Sequence, residues 1–136
     1  MSERRRNLFA GMLFVACGLS TMAGVFLHPE RVNGPVWLGH AAGGAFVLAG
    51  VAIFCQERGH RGAFNWLVLG VLLSLFSIGA WVALGPGARV CGVNFLGVSS
   101  SAGGFVCRGA FGVGAASVGA MALWQLVRIM RRRREA

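Results

Sequence analysis

AFNWLVLGVLLSLFSIGAWVAL, residues 63–84, runs for 22 residues without a charge. A helix needs roughly 20 mostly apolar residues to cross a hydrocarbon core of about 30 Å, so this stretch is long enough to span a bilayer. It is apolar on every side, whereas a helix on the surface of a soluble protein keeps a polar back. Three further stretches read the same way. Residues 8–27 carry no charge, residues 36–55 hold one ionisable group, His40, and residues 110–127 hold only Gln125 near their end. Together the four take up more than half of the 136 residues.

Composition excludes the soluble alternative. Charged residues make up 12% of the chain and hydrophobic ones 56%, against roughly 25% charged in an ordinary soluble domain. Too few polar residues remain to cover four buried helices. The expected fold is therefore an all-α integral membrane protein, an antiparallel four-helix transmembrane bundle forming one domain over residues 1–136.

The arginines set the expected topology. All 13 basic residues are arginine, and the net charge is +9. Arg4, Arg5 and Arg6 precede the first span, Arg58 and Arg61 sit between the second and third, and Arg128, Arg131, Arg132, Arg133 and Arg134 follow the fourth. The other side holds only Arg31, Arg89 and Arg108. By the positive-inside rule, ten against three places both termini and the middle turn in the cytoplasm. The basic excess then needs no nucleic acid. It implies a bilayer partner, with Arg4, Arg5, Arg6 and Arg131 to Arg134 attracted to anionic lipid heads. Short loops, arginine-only basicity and the lack of an Asn-x-Ser/Thr acceptor point to a bacterial inner membrane.

The first span begins as a signal peptide does, with basic residues and then an apolar run. Phe14-Val15-Ala16-Cys17 loosely matches a lipoprotein cleavage site, but the apolar run continues ten residues past Cys17. That length favours a retained helix, with Cys17 not a lipid anchor. Arg5-Arg6-Asn7-Leu8-Phe9 is a poor match to a twin-arginine signal.

Glycine is abundant, at 22 residues. Gly39, Gly43 and Gly50 give the second span a small-residue face, and Gly112, Ala116 and Gly119 give one to the fourth. Small residues let helix backbones approach, which drives association where lipid removes the hydrophobic force. Packing within one bundle is the expected use. Association with a membrane-protein partner or a second copy is the rival one.

Two loops, residues 28–35 and 56–62, are short. The third, residues 85–109, is the sizeable extramembrane piece. Its centre, residues 99–104, reads as a turn between strands at 90–98 and 105–106, with Cys91 and Cys107 at the bases. Both cysteines fall on the outer, oxidising side, so a disulfide closing this loop is expected. In the chain-entropy model a loop of 15 intervening residues would be stabilised by about 3 kcal/mol. Four spans with outer cysteines are also similar to the quinone-linked disulfide-forming membrane proteins. That family uses a C-x-x-C, which this sequence lacks, so a structural bond is the better reading.

Other chemical signals are weak. His40 is the sole ionisable group well inside a span, and such groups are functional candidates. Its simpler role is a bond to a neighbouring carbonyl or to interfacial water. With His28 it could bind haem or a metal only if both rings met in one cavity, and His60 lies on the opposite side. Gly112-x-Gly114-x-x-Ser117 imitates a dinucleotide fingerprint without the strand that the motif needs. There is no P-loop and no H-E-x-x-H, nor the first-span glutamate through which small multidrug transporters couple protons. No catalytic residue, metal or cofactor is implied. The sequence therefore suggests a non-enzymatic structural or accessory subunit. The alternatives are a transporter or channel for a neutral or anionic solute, and then a thiol-redox or haem protein.

Overall fold

The computed structural model describes residues 3–31, 34–86, 91–95, 98–102 and 104–134; the side chains of 31, 91–95, 98–102, 107 and 133 fall outside that description. Four helices dominate: α1 (Glu3–Leu27), α2 (Val36–Glu57), α3 (Arg61–Leu84) and α4 (Gly104–Arg134). All four are long and apolar enough to cross a membrane. A 3-10 turn, Pro29–Arg31, follows α1, and strands β1 (Cys91–Phe95) and β2 (Val98–Ala102) pair antiparallel between α3 and α4.

Helix is what an apolar chain must form in lipid, because each backbone N–H and C=O has to find its partner within the segment. The hydroxyls follow the same rule. Ser74 donates to the Gly70 carbonyl (3.0 Å), Ser77 to Leu73 (2.8 Å), Ser117 to Val113 (2.9 Å) and Thr21 to Cys17 (2.8 Å). Each bonds to its own helix one turn back.

The turn between α2 and α3 is closed by Gly59. Its φ of +77° is left-handed, a region glycine enters without a Cβ penalty. The His60 N–H donates to the Cys55 carbonyl (2.9 Å) and the Gly59 N–H to Gln56 (3.0 Å). This 6→1 and 5→2 pair is a Schellman cap, which satisfies the last carbonyls of α2. α3 starts at the next residue.

Each helix packs on its neighbour in sequence, α1 on α2, α2 on α3 and α3 on α4. Gly11 lies against Gly50, Gly18 against Gly43 and Gly39 against Val25, so residue numbers rise along α1 as they fall along α2. Gly79 against Ala115, Gly112 against Ala83 and Gly119 against Phe76 show the same for α3 and α4. Among the described residues α1 and α4 make no comparable contact. The helices form an open row rather than a closed square. Its core is correspondingly thin: Leu69, Ala122 and Ile129 cluster between α3 and α4, and no described side chain is fully buried. Large apolar groups face outward along every helix, Leu84 at 84% and Phe105 at 91% exposure among them. Lipid is the solvent such a surface fits.

Three expectations are corrected. The fourth helix begins at Gly104, not 110, so the outer loop is shorter than residues 85–109 and Phe105-Val106 is helical. The glycines at 109, 112 and 114 do not break it, since leaving the helix would strand polar backbone in an apolar setting. Ser99, Ser100 and Ser101 lie within β2 rather than in a turn, because the register pairs Val93 with Ser100 and Cys91 with Ala102. Cys107 is therefore not opposite Cys91 but in the first turn of α4. The side chains of both cysteines, and with them the expected disulfide, lie outside the described residues. The described cysteines, Cys17 and Cys55, are free.

Candidate functional site

A glycine seam brings the backbones of α1 and α2 close together. A Cβ at Gly18 would lie 2.5 Å from the Gly43 carbonyl oxygen, and one at Gly50 would lie 2.6 Å from the Gly11 oxygen. Only glycine permits that approach. Gly39, Gly43 and Gly50 thus face α1. Gly11 and Gly18, which supply the other half, were legible only as a spacing of seven that matches Gly43 to Gly50. On α4, Gly112 and Gly119 face α3, but Ala116 is exposed. Its expected place is taken by Ala115, buried against Gly79. The packing stripe of α4 runs through 112, 115, 119 and 122, a 3–4 spacing that 116 falls outside.

Polar clasps join the helix pairs at the arginine-rich end. Asn7 Nδ2 donates to Glu57 Oε1 at 2.7 Å, linking the start of α1 to the end of α2. Gln125 Nε2 donates to Asn65 Oδ1 at 3.4 Å, linking the start of α3 to the end of α4. Gln125 is buried, so its amide depends on this partner.

The opposite end is fixed differently. Trp37 and Trp81 meet edge to face with ring centroids 5.8 Å apart. Arg108 donates from Nη2 to the Gly85 carbonyl at 3.0 Å. That carbonyl caps α3, where a cation favours the negative end of the helix dipole. The four tryptophans divide two and two, Trp37 and Trp81 at this end and Trp66 and Trp124 at the other. Tryptophans at both ends match the aromatic belts found at the two interfaces of membrane-spanning helices, a distribution already readable in their sequence positions.

His40 is half-buried on α2. His28 does not join it: its Nδ1 lies 3.2 Å from Glu30 Oε1 on the exposed turn after α1. His60 is at the far end of α2, where it closes the Schellman cap and precedes α3. Among the described residues no three metal-ligating side chains converge.

Two apolar hollows lie on one side of the row. One, of about 210 Å³, is bounded by Phe14, Ala42, Ala49 and Val71. The other, of about 450 Å³, is bounded by Gly79, Phe111, Gly114 and Val118. Leu75 and Ile78 line both, so the two adjoin across α3. Arg4, Arg5 and Arg6 are exposed on the first turns of α1, and Arg131, Arg132 and Arg134 on the last turns of α4. Arg133 is helical too, its side chain outside the described set. What this arrangement offers is helix association, an apolar trough and a basic edge. In comparison with known proteins, no family model, no curated protein and no solved structure matches the chain.

Proposed function

We propose that this chain is a structural or accessory subunit of a bacterial inner membrane, whose open row of helices is completed by a neighbouring transmembrane helix. The trough across α3 carries the reading. Small residues flank its Leu75–Ile78 ridge, Ala42, Ala45 and Ala49 in one hollow and Gly79, Gly114 and Ala115 in the other. Small residues admit a helix backbone closely, which is how spans associate without a hydrophobic force between them. The occupant is a partner protein or a second copy.

In this reading the four helices cross in alternating directions, with both termini and the Gly59 turn cytoplasmic and the β1–β2 hairpin outside. The ten-to-three arginine asymmetry supports that orientation. A disulfide between Cys91 and Cys107 belongs to the same picture: Cys91 opens β1 and Cys107 lies in the first turn of α4, on the side that this orientation makes oxidising.

The test is purification in mild detergent, with the mass and identity of whatever remains bound. Ala49→Leu with Gly114→Leu fills the trough and should release the bound helix while leaving helicity unchanged. Unaltered assembly in that variant overturns the reading. Reporter fusions after Arg134 and within β2 should report opposite sides. A cytoplasmic β2 overturns the orientation.

A further inference from the structure

We infer that the cytoplasmic end of α4 holds a discrete site for the phosphate headgroup of an anionic phospholipid, formed by Trp124, Val127, Arg128, Arg131 and Arg132. The inference rests on the cytoplasmic orientation proposed above and goes beyond general attraction of arginines to the surface. These five residues line one open hollow of about 500 Å³ on the surface of α4. Their spacing of 3, 4, 7 and 8 puts them on one helix face. The buried residues Ala122, Gln125 and Ile129, which pack toward α3, lie on the other face. The site therefore opens away from the row, toward surrounding lipid.

The order of residues along the helix matches a phospholipid from chain to head. Trp124 and Val127 present apolar surface at the membrane boundary, where tryptophan is favoured. Arg128 follows one turn after Trp124, and its guanidinium lies over the indole, Cζ 5.3 Å from the ring centroid. That stacking holds a charged fork at headgroup depth. Arg131 and Arg132 come one turn further out, roughly 6 Å at 1.5 Å per residue. Guanidinium groups bind phosphate oxygens in pairs, which ammonium groups do not. Charge complementarity is strong, with five arginines against one acid, Glu135, in residues 124–136. The ion pairs Arg6–Glu3 and His28–Glu30 both lie elsewhere. A cytoplasmic acidic peptide would also meet the charge, but it would leave the Trp124 and Val127 floor unused.

The test is native mass spectrometry of the full chain released from vesicles of phosphatidylcholine and phosphatidylglycerol. Phosphatidylglycerol should be retained in preference. The Arg128→Lys, Arg131→Lys, Arg132→Lys variant keeps every charge, and with it the topology, but loses the paired donors. It should lose retention several-fold, and the matching glutamine variant about tenfold or more. The Arg4→Lys, Arg5→Lys, Arg6→Lys control should retain lipid as the parent does. Equal loss in the α1 and α4 variants, or no loss in either, overturns the site. Displacement by free glycerol phosphate or by a polyglutamate peptide at concentrations that leave the chain in its bilayer assigns the site to another ligand and overturns the lipid. A fusion reporter on each variant reads orientation separately, so a failed topology is distinguished from a failed site.

Discussion

Gly18 and Gly43 touch through their backbones: a Cβ on Gly18 would stand 2.5 Å from the Gly43 oxygen, and one on Gly43 would stand 2.8 Å from the Gly18 oxygen. The obstruction is main chain on both sides, so no rotamer change relieves it. Gly18→Ala and Gly43→Ala should each destabilise the α1–α2 pair by about 1–3 kcal/mol, the usual cost of overpacking. Gly44→Ala, with nothing within 4 Å of its Cβ, should be neutral. Thermal unfolding in detergent separates the three. Equal stability throughout would show that the seam does not hold the hairpin.

Gln125→Leu removes the donor to Asn65. Interhelical hydrogen bonds in membranes contribute about 0.6 kcal/mol on average and about 1.7 at most. At 3.4 Å the bond is long, and the lower figure is expected. A double-mutant cycle with Asn65→Leu measures the coupling. A coupling of zero would mean that Asn65 and Gln125 act independently.

Arg108→Met keeps side-chain length and removes the cation at the Gly85 carbonyl. The end of α3 should fray, with faster amide exchange over residues 81–85 and a loss of about 0.3–1 kcal/mol. Unchanged exchange there would show that the cap is dispensable.

Alkylation of the unreduced protein should label Cys17 and Cys55, which are free, and spare Cys91 and Cys107. Cys91→Ser with Cys107→Ser should lower stability by about 3 kcal/mol and leave the topology intact. Labelling of all four cysteines in the unreduced protein rules the bond out. Redox cycling of the Cys91/Cys107 pair with a supplied quinone would favour the thiol-redox alternative.

The four spans were legible because length and uniform apolarity need no tertiary knowledge. The helix partners were not. Residues 39, 43 and 50 form an evident small face, but nothing local says that Gly11 and Gly18 complete it, since glycine is frequent in every span. Sequence does not distinguish Ala115 from Ala116 as the packing residue, because adjacent alanines look alike until a partner fixes the rotation of the helix. Sequence puts the start of α4 six residues late, because its glycines and cysteine between 104 and 109 resemble a loop. In lipid, backbone satisfaction outweighs glycine's low helix propensity. Arg108, counted as a topology signal, also proves to cap its neighbour. The open row was invisible, because periodicity shows which face of a helix is apolar but not whether the last helix returns to the first.

That open row also bears on how the protein is made. Each helix rests on the one synthesised just before it, so no segment must wait for a distant partner to leave the ribosome. Contacts between neighbours in sequence are quick to form, and chains assemble from the N-terminal end as they emerge. α1 and α2 can lock through their glycines before α3 has been translated, and α4 needs only α3 to dock. The order of insertion and the order of packing are then the same, and an arrest after α2 leaves every helix already made beside a neighbour.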